Sequence, residues 1–104
     1  MTILAGDLGG TKTLLAVYQS EDSLEKIHQR KYISNEWSSL VEILNSFLNE
    51  LPEEIEKPSF ACIAVAGRVT ASKTIVTNLS WELNEAEICS KTNLDQIEII
   101  NDFS

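Results

Sequence analysis

The sequence predicts an α/β fold, a mixed five-stranded sheet with helices packed on it. Three observations carry that prediction. The first third of the chain holds three short apolar or alternating runs separated by turn residues, the pattern of an antiparallel meander. Two stretches of helical character follow, one with an apolar stripe and one with a capping signal. Each of these helices precedes a compact apolar segment, so the order is β-β-β-α-β-(β)-α-β.

The elements follow in chain order. Ile3–Asp7 is a short strand and Thr13–Gln19 a second, rich in β-branched and aliphatic residues. Ser20-Glu21-Asp22-Ser23 reads as a turn. Over 25–33 residue types alternate imperfectly, with Ile27, Gln29, Lys31 and Ile33 facing one way and Lys26, His28, Arg30 and Tyr32 the other. That fits a partly exposed third strand and makes His28 a surface residue. Ser34 and Asn35 offer N-cap side chains to a helix, with Glu36 in its first turn, where an anion suits the dipole. Trp37, Leu40, Val41, Leu44, Phe47, Leu48 and Leu51 recur at three- and four-residue steps, and Pro52 ends the stripe. Phe60–Gly67 is continuously apolar, so it is expected at the centre of the sheet with both faces covered. Arg68–Ser72 reads as a turn, Lys73–Thr77 as a short strand and Asn78–Leu83 as irregular chain. Asn84-Glu85-Ala86-Glu87 has capping-box spacing and starts a helix that runs to about Lys91. Ile97–Ile100 is the last strand, with Asn101-Asp102-Phe103-Ser104 at its carboxyl tip.

Residues 6–13, Gly-Asp-Leu-Gly-Gly-Thr-Lys-Thr, join the first two strands. A Gly-Gly-Thr corner turns several backbone N–H groups to one side, and Gly9 and Gly10 carry no Cβ to obstruct a bulky anion. A polyphosphate needs that arrangement. Asp7 can orient Mg²⁺ through water, because this ion gives up its hydration reluctantly. The Walker pattern does not fit: it opens a helix, and here a strand follows. The dinucleotide fingerprint cannot be threaded through these residues. From the corner alone, a plain hairpin whose glycines serve only the turn stays open as the alternative.

Ligands gather at the carboxyl ends of strands in open α/β sheets. Asp7 ends the first strand and Asn101-Asp102 the last, so the two share one cleft if those strands are parallel neighbours. Taken alone, Asn101-Asp102 reads as a strand-end turn or a helix cap.

Composition narrows the function classes. A chain of 104 residues is one small domain or a piece of a larger one. Its 43% hydrophobic content supports a core and argues against disorder. A net charge of −8 disfavours nucleic acid and anionic membranes as partners. Glu50, Glu53, Glu54 and Glu56 cluster around Pro52 and read as a solvated loop. No basic n-region precedes the first strand, and no apolar run approaches the roughly 20 residues that cross a bilayer, so a cytoplasmic location is expected. Cys62 and Cys89 lack metal-type spacing and read as free, buried thiols.

Gly6–Thr13, Ala66-Gly67, Thr77-Asn78-Leu79-Ser80-Trp81 and Ile99-Ile100-Asn101-Asp102-Phe103 occur in one order along the chain. This ordered set resembles the N-terminal part of bacterial glucokinases, members of the actin-like sugar kinase and Hsp70 superfamily. The resemblance implies a ribonuclease H-like (actin-like ATPase) half, with residues 1–104 as the small lobe, truncated before the second lobe. It also implies roles. Gly6, Asp7, Leu8, Gly9, Gly10, Thr11 and Lys12 look like the first phosphate motif, which holds the tail of ATP, with Asp7 acting on Mg²⁺ through water. Lys12 falls at a variable position and either attracts phosphate or is simply exposed. Asn101 looks like a ligand of sugar hydroxyls, and Asp102 like the sugar-binding general base acting on the 6-hydroxyl. Thr77, Asn78 and Trp81 resemble residues beside the sugar pocket, or serve structure alone. Arg68 departs from the proline often found after the strand-end glycine.

The activity so implied is transfer of the γ-phosphoryl group of ATP to the 6-hydroxyl of glucose. The isolated chain is expected to be inactive, because in such kinases nucleotide binds between two lobes. Apolar sheet surface left open is expected to drive self-association, or docking with a C-terminal lobe. Two other readings are a non-catalytic fragment that binds a sugar or a partner, and a lobe of a sugar-responsive regulator. A chain that opens on its first strand, without a DNA-binding helical segment, argues against the regulator.

Overall fold

The computed structural model describes residues 2–20, 24–65, 67–69, 74–76 and 81–101. Thr2–Leu8 (β1) and Lys12–Ser20 (β2) form the expected hairpin, and Leu24–Ile33 (β3) adds to β2, all antiparallel. Leu40–Glu50 (α1) leads to Phe60–Val65 (β4), which pairs in parallel with β1. A small antiparallel sheet follows, made of Gly67–Val69 (β5), Thr74–Val76 (β6) and Glu82–Leu83 (β7). Glu85–Lys91 (α2) then returns the chain to Gln96–Asn101 (β8), parallel to β4. The main sheet has the order β3-β2-β1-β4-β8. Arg68 and Val69, expected in a turn, belong to strand β5, and Glu82 and Leu83, expected in irregular chain, form β7. Residues 21–23, 70–72 and 78–80 of the expected turns and irregular stretch lie outside the described residues.

Alternation along the strands builds one core. Leu4, Leu8, Leu15, Val17, Ala61, Ile63 and Val65 have no exposed surface, and α1 adds Leu40, Ile43, Leu44, Phe47 and Leu48 to the same cluster. Burying each such leucine or isoleucine contributes about 1.5–3 kcal/mol. Ile88 of α2 and Ile97 of β8 complete the cluster.

Four further expectations need correction. The first helix starts at Leu40, not beside Asn35, and Ser34–Glu36 form a single 3₁₀ turn. Ser34 cannot cap a helix because its hydroxyl is used elsewhere, and Trp37 is extended (φ −121°, ψ 153°). Ser39 caps α1 instead, its Oγ accepting from the Glu42 N–H at 3.2 Å. Second, β4 is buried on one face only. Ala61, Ile63 and Val65 turn to the helices, while Phe60, Cys62 and Ala64 are half-buried on the other face. Small residues, not a second layer, explain the missing polar alternation. Third, a bulge opposite Val17/Tyr18 breaks the alternation of β3, leaving Ile27 without a ladder partner. It flips side-chain parity, so Ile27 packs on the core while Gln29, Lys31 and Ile33 stay exposed. Fourth, His28 covers the Phe47 ring, centroids 5.7 Å apart, and is half-buried.

The second helix follows its sequence signal closely. Asn84 Oδ1 accepts from the Glu87 N–H at 3.0 Å, and Glu87 pairs with Lys91 one turn on at 2.8 Å. That lysine holds the Glu87 carboxyl below its usual range, first by hydrogen bond and then by charge.

Candidate functional site

The β1–β2 turn lies at the carboxyl edge of the parallel strands. Ladder pairing ends at Leu8 and Thr13, and the Gly9 N–H donates to the Lys12 carbonyl at 3.0 Å to close the corner. A Cβ on Gly9 would sit 3.0 Å from that same carbonyl oxygen, so a side chain there would crowd the closing bond. Two more carbonyls of the turn face inward. The Gly9 oxygen accepts from Ser34 Oγ at 2.8 Å, and the Thr11 oxygen from the Ser34 N–H at 2.9 Å. Among the described residues, the N–H groups of Gly10 and Thr11 have no partner. A peptide's carbonyl and N–H point oppositely, so the inward Gly9 carbonyl turns the Gly10 N–H outward, which suits an anion.

The eight-residue motif divides its labour. Gly6 belongs to the core. A Cβ there would lie 2.7 Å from Ile63 Cδ1 and 2.8 Å from Leu15 Cδ2. Leu8 is wholly buried with them. Asp7 points the other way and is exposed, in one row with Leu14, Ala64 and Ile100 on the face opposite the helices. It borders a shallow groove of about 250 Å³ lined by Leu14, Ala16, Tyr18, Lys26 and Gln29. Thr11 and Lys12 are exposed.

A second row crosses the same edge. Leu8 is in register with Val65, and Val65 with Asn101. The last strand therefore ends level with the β1–β2 turn, but β4 stands between them. At the usual strand spacing the two tips are about 10 Å apart and are not adjoining neighbours. Asp102, Thr77 and Asn78 lie outside the described residues. Trp81 is half-buried against the core and borders a hollow of about 340 Å³ with Ser38, Ser39, Asn84 and Lys91.

No group of three or more His, Cys, Asp or Glu side chains converges among the described residues. A lone exposed carboxylate beside free amides matches Mg²⁺ that keeps most of its water and arrives with phosphates. Cys62 and Cys89 are free thiols, both half-buried, and burial followed by the Glu98 charge raises the Cys62 pKa. Among the described residues no helix is long and apolar enough to cross a membrane.

Reading the residues missed Ser34 and Thr13. Both have no exposed surface, and their hydroxyl oxygens lie 2.8 Å apart behind the turn. The available signal was Thr13 itself, a hydroxyl at a core-facing step of β2 that requires a buried partner.

The profile of the family described as glucokinase matches residues 4–104. A glucokinase from Nostoc punctiforme is 38% identical over 104 residues, covering 98% of this chain and 30% of that protein. One from Tolumonas auensis is 32% identical over 102 residues, again 98% of this chain and 30% of that protein. The crystal structure of a glucokinase from an Antarctic psychrotroph superposes with a TM-score of 0.86 at 31% identity, covering 98% of this chain and 32% of that one. The chain thus spans about 30% of the length of the curated relatives it matches.

Proposed function

The chain belongs to the glucokinase family, with the actin-like ATPase fold, and on that premise we propose that it is the small lobe of an ATP-dependent glucose kinase. The observation that carries this reading is the pair of N–H groups at Gly10 and Thr11, without a partner among the described residues, in a turn level with the end of β8 on one sheet edge.

Phosphoryl transfer asks chiefly for alignment and for neutralised charge. The Gly10 and Thr11 amides would donate to the phosphate tail, with Lys12 close by as an exposed cation. Asp7 would orient Mg²⁺ through water, and the metal, when bound, offsets phosphate charge. Gly6 and Leu8 act on this site only by packing the strand that carries it. A sugar alcohol is a poor nucleophile while protonated, so Asp102 would accept the 6-hydroxyl proton as attack proceeds. Asn101, with both donor and acceptor, would fix the ring hydroxyls. Thr77 and Asn78 would flank the same pocket. The width of one strand, β4, separates the two halves of this site.

The second phosphate grip and the adenosine contacts would come from a C-terminal lobe, so the isolated chain should not turn over glucose. In a protein that carries both lobes, Asp102→Ala should lower kcat about 10²- to 10⁴-fold and change glucose affinity far less. A steady-state comparison in which turnover stays near normal would remove Asp102 from the base role.

A further inference from the structure

The hydroxyls behind the turn can be assigned a direction. Ser34 Oγ lies 2.8 Å from both the Gly9 carbonyl oxygen and Thr13 Oγ1. A carbonyl only accepts, so the single Ser34 proton goes to Gly9. Thr13 must then be the donor to Ser34. The chain of bonds runs from Thr13 to Ser34 to Gly9, in a dry setting where each bond strengthens the next.

That direction matters because a peptide unit is rigid and planar. The Gly9 carbonyl and the Gly10 N–H belong to one peptide and point oppositely across it. Pulling the carbonyl inward aims the Gly10 N–H outward. Glycine on both sides of this peptide lowers the steric barrier to a flip, and a flipped peptide would show an anion the wrong end of its dipole. Building on the phosphate reading of the turn, we infer that Ser34, itself held by Thr13, is a positioning residue that keeps the Gly9–Gly10 peptide with its N–H toward the phosphate.

The test is an amide-resolved NMR titration of the 104-residue chain with inorganic tripolyphosphate, at an ionic strength that screens the net charge of −8. Gly10 and Thr11 amides of the wild type should shift saturably. Ser34→Ala should bind about tenfold more weakly, since it loses one buried bond and the orientation that bond enforces. It also strands the Thr13 hydroxyl, so part of its effect is on stability. The double variant Ser34→Ala/Thr13→Val removes the stranded hydroxyl and should recover thermal stability without recovering affinity. Thr13→Ser keeps the donor and should bind like the wild type.

If affinity returns together with stability in the double variant, or if folded Ser34→Ala binds undiminished, the inference is overturned while the phosphate reading stands. If both Ser34 variants fail to fold, Thr13→Val decides. It takes away the donor that holds the Ser34 hydroxyl on Gly9, so affinity should fall, and unchanged affinity there overturns the inference. Wild-type amides that ignore tripolyphosphate would overturn the phosphate reading and the inference with it.

Discussion

Replacing Gly6 by alanine separates packing from ligand binding within the motif. The added methyl carbon would sit 2.7 Å from Ile63 Cδ1 and 2.8 Å from Leu15 Cδ2, where ordinary carbon contacts fall at about 3.5–4.0 Å. Both neighbours must retreat by roughly 1 Å, and both are already wholly buried, so neither can swing into solvent. Both contacts are the far ends of flexible side chains, which can give part of the way, and overpacking of this kind costs about 1–3 kcal/mol. In a domain of this size that lowers the melting temperature by roughly 5–20 °C. Thermal unfolding followed by circular dichroism reads this directly. Ile63→Val removes one of the two offending atoms. Alone it should cost about 0.5–1.5 kcal/mol, but in the Gly6→Ala background much less, giving a coupling of about 1 kcal/mol. A Gly6→Ala variant that melts within about 2 °C of the wild type, a shift below 1 kcal/mol, would refute the packing role and return Gly6 to the anion.

Two further outcomes follow from the described contacts. The Tyr32 ring is buried, and its hydroxyl meets no partner at full hydrogen-bond geometry among the described residues, with only a weak contact to the Ser46 side chain. Its pKa is raised, first by burial and then by Glu50, against smaller opposing effects of Arg30 and Ser46. The folded state therefore disfavours the phenolate, and stability falls as pH climbs past the unfolded value of about 10. Tyr32→Phe keeps the edge contact with Trp37 and the Arg30 stacking, and should match or exceed wild-type stability by about 1 kcal/mol, with the gap widening above pH 10. A melting temperature several degrees lower would contradict this. The face opposite the helices carries Leu14 and Ile100, 36% and 44% exposed, so concentration-dependent self-association is expected, and Ile100→Glu should suppress it. Sedimentation showing a clean monomer at high concentration would count against that.

Local chemistry made most of the fold readable. Short apolar runs on either side of a glycine corner marked β1 and β2, and a side-chain cap marked the start of α2 to the residue. Misreadings arose where tertiary contacts overrode local signals. Ser34 has the composition of an N-cap, but a buried carbonyl 25 residues away claims its hydroxyl, so the helix waits for Ser39. The bulge in β3 leaves no mark in residue type, yet it turns Ile27 inward. Small residues made β4 look doubly covered. The proposed site reads in the sequence as a motif but not as a division of labour. Gly-Asp-Leu-Gly-Gly suggests phosphate binding, whereas only packing reveals that Gly6 and Leu8 face one way and Asp7 the other. Strand order likewise needed coordinates, since β4 intervenes between the two tips.

Glu85, the first residue of α2, does more than favour its own helix. Its Oε2 accepts the Ile99 N–H at 2.9 Å, on the outer flank of β8. A foreign strand docking on that flank would need this proton and would meet a carboxylate instead. The helix thereby seals one margin of the sheet. Lateral growth is left to the β3 margin, where Lys26, Arg30 and Lys31 form a charged fringe that discourages it. Copies of this chain that do assemble must meet face to face rather than stitch their backbones into a continuous ribbon.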